Sequence, residues 1–199
     1  MLSITSLLRE HGIEYERYRE NIRPPIPGQP STVTSFGSEE QFETIEGAPP
    51  PLRPALRRLR GLVDATLPHL TGYSDADSGK LLKRKPWTRK EALGHLVDCA
   101  SSHQQWFARA LTEPRIAILS YPQDDWVAAQ HYREFSFPDL IDLWSLLNDL
   151  LIHVLTQFPE EKLNTPCRIG VEEPILLSRL ITQHVHHCED VIGQILAHL

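Results

Sequence analysis

The histidines are the residues with the clearest chemical potential, and the chain carries ten of them. His95, Cys99 and His103 stand at i, i+4 and i+8, so on one helix they rise along one side. His184, His186 and His187 cluster on a later segment. A neutral imidazole has its lone pair available near neutral pH and is a common protein ligand for Zn²⁺, Ni²⁺ or Fe²⁺. If His95 meets the histidines of that later segment across a helix pair, three such ligands leave a position open for water or substrate. Spacing alone leaves the plainer alternatives standing: a satisfied core histidine for His184, a surface residue for His186. Asp98, one turn beyond His95, is the candidate catalytic carboxylate. It would orient an imidazole or act as a base, and its plainer alternative is a solvated carboxylate on a helix surface. Cys99 and Cys188 both fall on apolar stripes, where a thiol is either a nucleophile or a small buried hydrophobe.

Helices must position these groups. Thr88 followed by Glu91 is a capping box, with Trp87 at the staple position, and it predicts a helix from Thr88 to about Leu111. Upstream, Leu52, Ala55, Leu56, Leu59, Leu62 and Val63 give a 3.6-period apolar face, with Pro54 in the first turn and Leu67-Pro68 as the expected stop. A second capping box, Ser136 to Asp139, opens a helix whose apolar face includes Leu140, Ile141, Trp144, Leu147, Leu151, Leu155 and Phe158. The last helix follows Pro174. Its stripe of Leu177, Leu180, Ile181, His184, Cys188, Val191 and Ile195 puts His184 in the middle of the apolar face, His187 on the edge and His186 away from it. Residues 160–173 are a connection with room for a short hairpin, and no other strand is convincing. Four long helices predict an all-α four-helix bundle over residues 50–199. Residues 1–49 read as a mostly irregular N-terminal extension, with a weak helical signal over residues 1–20 and a proline-rich stretch after it.

Composition narrows the class. The net charge of −6 argues against a nucleic-acid surface. No run of 18 apolar residues is present to span a membrane, and no secretory pattern opens the chain. Three cysteines give no sign of a disulfide framework. The expectation is a reduced, cytoplasmic protein. The dense Arg53, Arg57, Arg58 and Arg60 read as a charge-rich helix surface rather than an anion site. Trp106, Tyr121 and Trp126 are candidates to line a pocket or to pack the core.

Trp87-Thr88-x-x-Glu91-x-x-Gly94-His95-Leu96-x-Asp98 resembles the second-helix signature of the DinB/YfiT-like family. Asp124-x-Trp126-Val127-Ala128-Ala129-Gln130 resembles a segment that often follows it, and His187-x-x-Asp190-x-x-Gly193-Gln194-Ile195 resembles the family's last helix. The match covers roughly residues 50–199 in the right order. It implies a four-helix bundle holding a divalent ion with one His of the second helix and a His-x-x-x-His pair of the fourth. It also implies a small-molecule substrate, with a low-molecular-weight thiol as co-substrate in some relatives, and a homodimer. The second ligand of the fourth helix then falls on Val191, which cannot bind a metal. Three outcomes follow: His95, His187 and His184 form a displaced ligand set, or Asp190 or Cys188 substitutes, or the site is lost and its histidines hydrogen-bond to one another or to Asp98. Three functions follow: a metal-dependent transferase or hydrolase, a metal-free small-molecule binder, or an interaction module serving a partner subunit.

Overall fold

The computed structural model describes residues 45–83 and 85–197. The expected helix over residues 1–20, and most of the extension with it, lies outside these. Ile45, Ala48 and Leu52 are almost fully buried, so the chain is already packed into the core before the first long helix begins.

Helix α1 (Arg53–Thr71) starts with Pro54 in its first turn, where a missing N–H costs nothing. It does not stop at Leu67-Pro68 as expected. Pro68 removes one backbone donor, yet the helix continues for another turn because Leu70 is fully buried and anchors it. A short helix α2 (Asp75–Ser78), capped by Ser74, leads to α3 (Arg89–Thr112). The predicted capping box of α3 is present: the Glu91 backbone N–H donates to Thr88 Oγ1, and the Thr88 N–H donates to Glu91 Oε2 at 2.7 Å. Helix α4 (Gln123–Ala129) and a 3₁₀ turn (Tyr132–Glu134) precede α5 (Phe137–Thr156). Only half of the Ser136 cap forms, with the Asp139 N–H donating to Ser136 Oγ. Helix α6 (Leu177–Leu196) carries the predicted stripe, and each of its seven residues is buried.

Among the described residues, three short strands depart from the helical expectation. β1 (Ile116–Ile118) pairs in parallel with β2 (Pro166–Ile169), which pairs antiparallel with β3 (Ile175–Leu176). The β2–β3 hairpin falls in the connection where one was allowed for. β1 is three residues long, too short for alternation to register in the sequence.

α1 and α3 each pack against both α5 and α6, which makes α3 and α6 neighbours. The core forms two clusters. One centres on Phe107, Leu151 and Leu177, the other on Leu93, Trp144 and Ile192. They change over between Val97 and Ala100 on α3, and between Val185 and Cys188 on α6. The chemistry-bearing histidines occupy that junction.

Candidate metal centre

His95 is delivered by the second turn of α3 and is almost completely buried. The Trp87 ring, held just ahead of the Thr88 cap, lies 4.9 Å from the imidazole centroid and limits its rotation. From α6, the half-buried His187 presents its ring edge-on at 88°. The two Nε2 atoms face each other at 2.9 Å. Burial, with smaller contributions from His187 and Lys85, lowers the His95 pKa to about 4. Burial also lowers that of His187, against the pull of Asp190. Both rings are therefore neutral near pH 7, the state in which imidazole binds a metal.

Cys99, one turn after His95, brings its Sγ to 3.5 Å from His95 Nε2. One ligand atom each from His95, Cys99 and His187 lie within 4.8 Å of one another. Burial raises the Cys99 thiol to about 12, only partly offset by hydrogen bonding from Tyr121. Cys188 is raised further by burial. Without a cation beside it, a thiol so hard to ionise is a poor nucleophile, which argues against the free cysteine-nucleophile reading.

His184, expected as the third ligand, is buried in the middle of its stripe but lies outside this group. Its ring stacks on His103 with centroids 4.1 Å apart and 35° between planes. His103 Nδ1 is 2.8 Å from the Cys99 carbonyl. A carbonyl can only accept, so Nδ1 carries the proton and the His103 tautomer is fixed. His186 points outward, as expected, and meets Arg58 at 3.1 Å. Arg58 also pairs with Glu189, and Arg57 with Glu46, so the arginines of α1 act as ion-paired surface. Arg60 is the exception: it is buried and pairs with Asp149 at 2.5 Å. Val191 is buried among the apolar residues of the second cluster.

Asp98 is not the solvated surface carboxylate of the plainer reading. It is 5% exposed, and its Oδ1 accepts from Tyr132 Oη at 2.7 Å and from Gln130 Nε2 at 3.1 Å. Its buried Oδ2 has no hydrogen-bond partner among the described residues. Burial raises its pKa, while the two donors oppose the shift. Its partners are thus a phenol and an amide, not an imidazole. Gly94 makes this arrangement possible: a Cβ there would sit 2.2 Å from the Tyr132 ring. The left-handed backbone at His131 (φ 53°) makes the turn that presents both Gln130 and Tyr132. Sequence reasoning passed over Tyr132 because it lies 34 residues from Asp98 and outside any motif.

A cavity of about 370 Å³ opens beside the cluster, lined by Cys99, His103, Trp106, Tyr121, His184 and His187 among others. A second, of about 580 Å³, shares Trp106 and Tyr121 and reaches Asp98, Gln130 and Arg109. Trp126 stacks on Tyr121 with centroids 4.0 Å apart. Two of the three candidate aromatics, Trp106 and Tyr121, line both spaces, and Trp126 borders the second. Volumes of this order suit a small organic molecule.

The donor set suits a borderline cation. Two nitrogens bound to one tetrahedral zinc lie about 3.3 Å apart, given bonds of about 2.0–2.1 Å, so the 2.9 Å approach of His95 and His187 needs only a small adjustment. Among the described residues no helix is long and apolar enough to cross a membrane.

The comparisons with known proteins agree with this architecture. No curated protein matches the chain. Among solved structures it is similar to YfiT from Bacillus subtilis, described as a probable metal-dependent hydrolase with an unusual four-helix bundle topology. That match has 17% identity and a TM-score of 0.63, and covers 86% of this chain and 92% of that one. It is also similar to the mycothiol-dependent maleylpyruvate isomerase, at 14% identity and a TM-score of 0.63, covering 76% of this chain and 62% of that one. At such identities the likeness shows the four-helix fold. The family is shown by a sequence model that matches residues 59–195, well over half of the chain: this protein belongs to the DinB superfamily.

Proposed function

We propose that the chain is a divalent-metal-dependent enzyme of the transferase or hydrolase type, acting on a small molecule that enters between α3 and α6. The observation that carries this reading is the meeting of His95 and His187 nitrogens at 2.9 Å, beside a cavity of about 370 Å³. His95 and His187 would hold the ion. When bound, such an ion supplies Lewis acidity and lowers the pKa of a water or thiol beside it.

The chain's own groups set the rest of the site. Trp87 fixes the plane of His95. Tyr121, stacked on Trp126, forms one wall of the cavity beside the His–Cys cluster. Asp98 is held by Tyr132 and Gln130 with Oδ2 unpaired, which leaves it one acceptor for a proton. A low-molecular-weight thiol suits the polar and apolar lining that runs from His187 past Tyr121 toward Arg109. A homodimer belongs to the same reading: α5 exposes Leu143, Leu146 and Leu150.

A second reading rests on the same contact. Two neutral imidazoles at 2.9 Å also satisfy each other by an N–H···N bond, which would suit a metal-free bundle that binds a small molecule. Metal content of the untagged protein, measured by mass spectrometry beside His95→Ala, separates the two. About one ion per chain, lost in the variant, supports the enzyme. No ion after incubation with Zn²⁺, Ni²⁺ or Fe²⁺ overturns it, and a ligand-induced rise in Tm would then favour the second reading.

A further inference from the structure

We infer that Cys99 is the third protein ligand of this metal centre and binds as a thiolate. The inference rests on the metal-dependent reading above and adds to it a donor from α3. After His187, the α6 residue one turn on is Val191, a buried aliphatic side chain with no donor atom. His184, one turn before, is stacked on His103. On α3, however, the residue one turn after His95 is Cys99, whose sulfur lies 3.5 Å from His95 Nε2 and groups with a nitrogen of each imidazole within 4.8 Å. The i, i+4 ligand pair therefore sits on α3, as His95 and Cys99, with a single histidine reaching in from α6.

Two edges of the cluster fit, and the third, from Cys99 to His187, is within 4.8 Å. Zinc bonds of about 2.0–2.1 Å to nitrogen and about 2.3 Å to sulfur put tetrahedral N and S ligands about 3.6 Å apart. Cys99 Sγ lies 3.5 Å from His95 Nε2. The other thiols are placed elsewhere. Cys167 donates to the Thr165 carbonyl at 3.4 Å, and Cys188 lies 3.7 Å from His184 Nε2. The backbone of Cys99 is anchored too, since its carbonyl accepts from His103 Nδ1–H. On binding, the S–H proton leaves to solvent and a metal–sulfur bond forms, with no change of oxidation state. One thiolate with two imidazoles favours Zn²⁺ or Co²⁺ over Mg²⁺ or Mn²⁺.

Titrating the full-length metal-free protein with Co²⁺ tests this without any activity assay. The expected result is a near-ultraviolet sulfur-to-cobalt charge-transfer band together with visible tetrahedral bands. Both should persist in a Cys167→Ala/Cys188→Ala variant, where Cys99 is the sole cysteine. In Cys99→Ser the charge-transfer band should vanish and Co²⁺ affinity should fall at least tenfold, with circular dichroism confirming the fold. Visible bands without charge transfer in the unmodified protein would overturn the Cys99 assignment and leave the histidine centre standing. No spectral response to Co²⁺ would overturn both.

Discussion

Two histidine pairs bridge the same two helices, and they have opposite geometries. His95 and His187 meet edge to edge, nitrogen toward nitrogen, at 2.9 Å. His103 and His184 pack ring against ring, with centroids 4.1 Å apart and planes tilted by 35°. Facing nitrogens converge on a point that a proton or a cation can occupy. In the second pair no two nitrogens meet: His103 spends Nδ1–H on the Cys99 carbonyl, and His184 Nε2 lies 3.7 Å from Cys188 Sγ. The surroundings are alike in kind: a thiol and an indole flank each pair, Cys99 and Trp87 the first, Cys188 and Trp106 the second. One helix pair thus carries a convergent donor site and a packing contact side by side. Residue type does not distinguish them, but ring orientation does.

Mutating one member of each pair gives the sharpest contrast. His95→Ala should weaken Zn²⁺ binding at least about 100-fold, near 3 kcal/mol, by isothermal titration. His184→Ala should leave Zn²⁺ affinity intact but cost about 2–4 kcal/mol of folding stability in urea melts, because it opens a hole where a 2% exposed ring was packed. Equal loss of metal affinity in both variants would erase the distinction between the pairs.

Acid should act on the stacked pair through folding. Burial lowers His103 to about 4 and His184 well below its ordinary value of 6.5. The unfolded chain then binds more protons than the folded one once the pH falls below about 6.5. The stability from keeping these rings neutral is fully present above that pH and is lost on acidification, down through the folded-state values near 4 and below. Each ring contributes a slope of up to about 1.4 kcal/mol per pH unit. His184→Phe should flatten the acid limb of the urea-midpoint profile, and an unchanged limb would assign the acid sensitivity elsewhere.

The smallest effect is expected just outside the convergent site. Gly94→Ala places a methyl against the Tyr132 ring, at a cost of about 1–3 kcal/mol, offset by up to about 1 kcal/mol of helix propensity. Loss of the Tyr132–Asp98 hydrogen bond would show as altered Tyr132 fluorescence or ring shifts. A fully tolerated alanine would mean that Tyr132 moves aside without cost.

The helices were legible because each is long enough for its period to show and its caps are local. Thr88 and Glu91 are three residues apart, and the seven-residue stripe of α6 is buried as its spacing predicts. The same locality put His95 and His187 on inward-facing positions and sent His186 to the surface. Other features depend on distant partners. Pro68 looks like a helix stop until Leu70 is seen buried beyond it. β1 exists only because β2, about 50 residues later, offers it hydrogen bonds. Asp98 is buried only because Tyr132 closes over Gly94.

Sequence by itself therefore determined the four helices, their inward faces and the short list of donor residues, because periodicity and capping act within a few turns of one chain segment. Tertiary structure alone decided which donors meet. The orientation of a ring or a thiol at the α3–α6 contact is set by side chains from the other helix, and no local pattern encodes it. That contact turned Cys99 toward His95 and His187, and stacked His184 on His103.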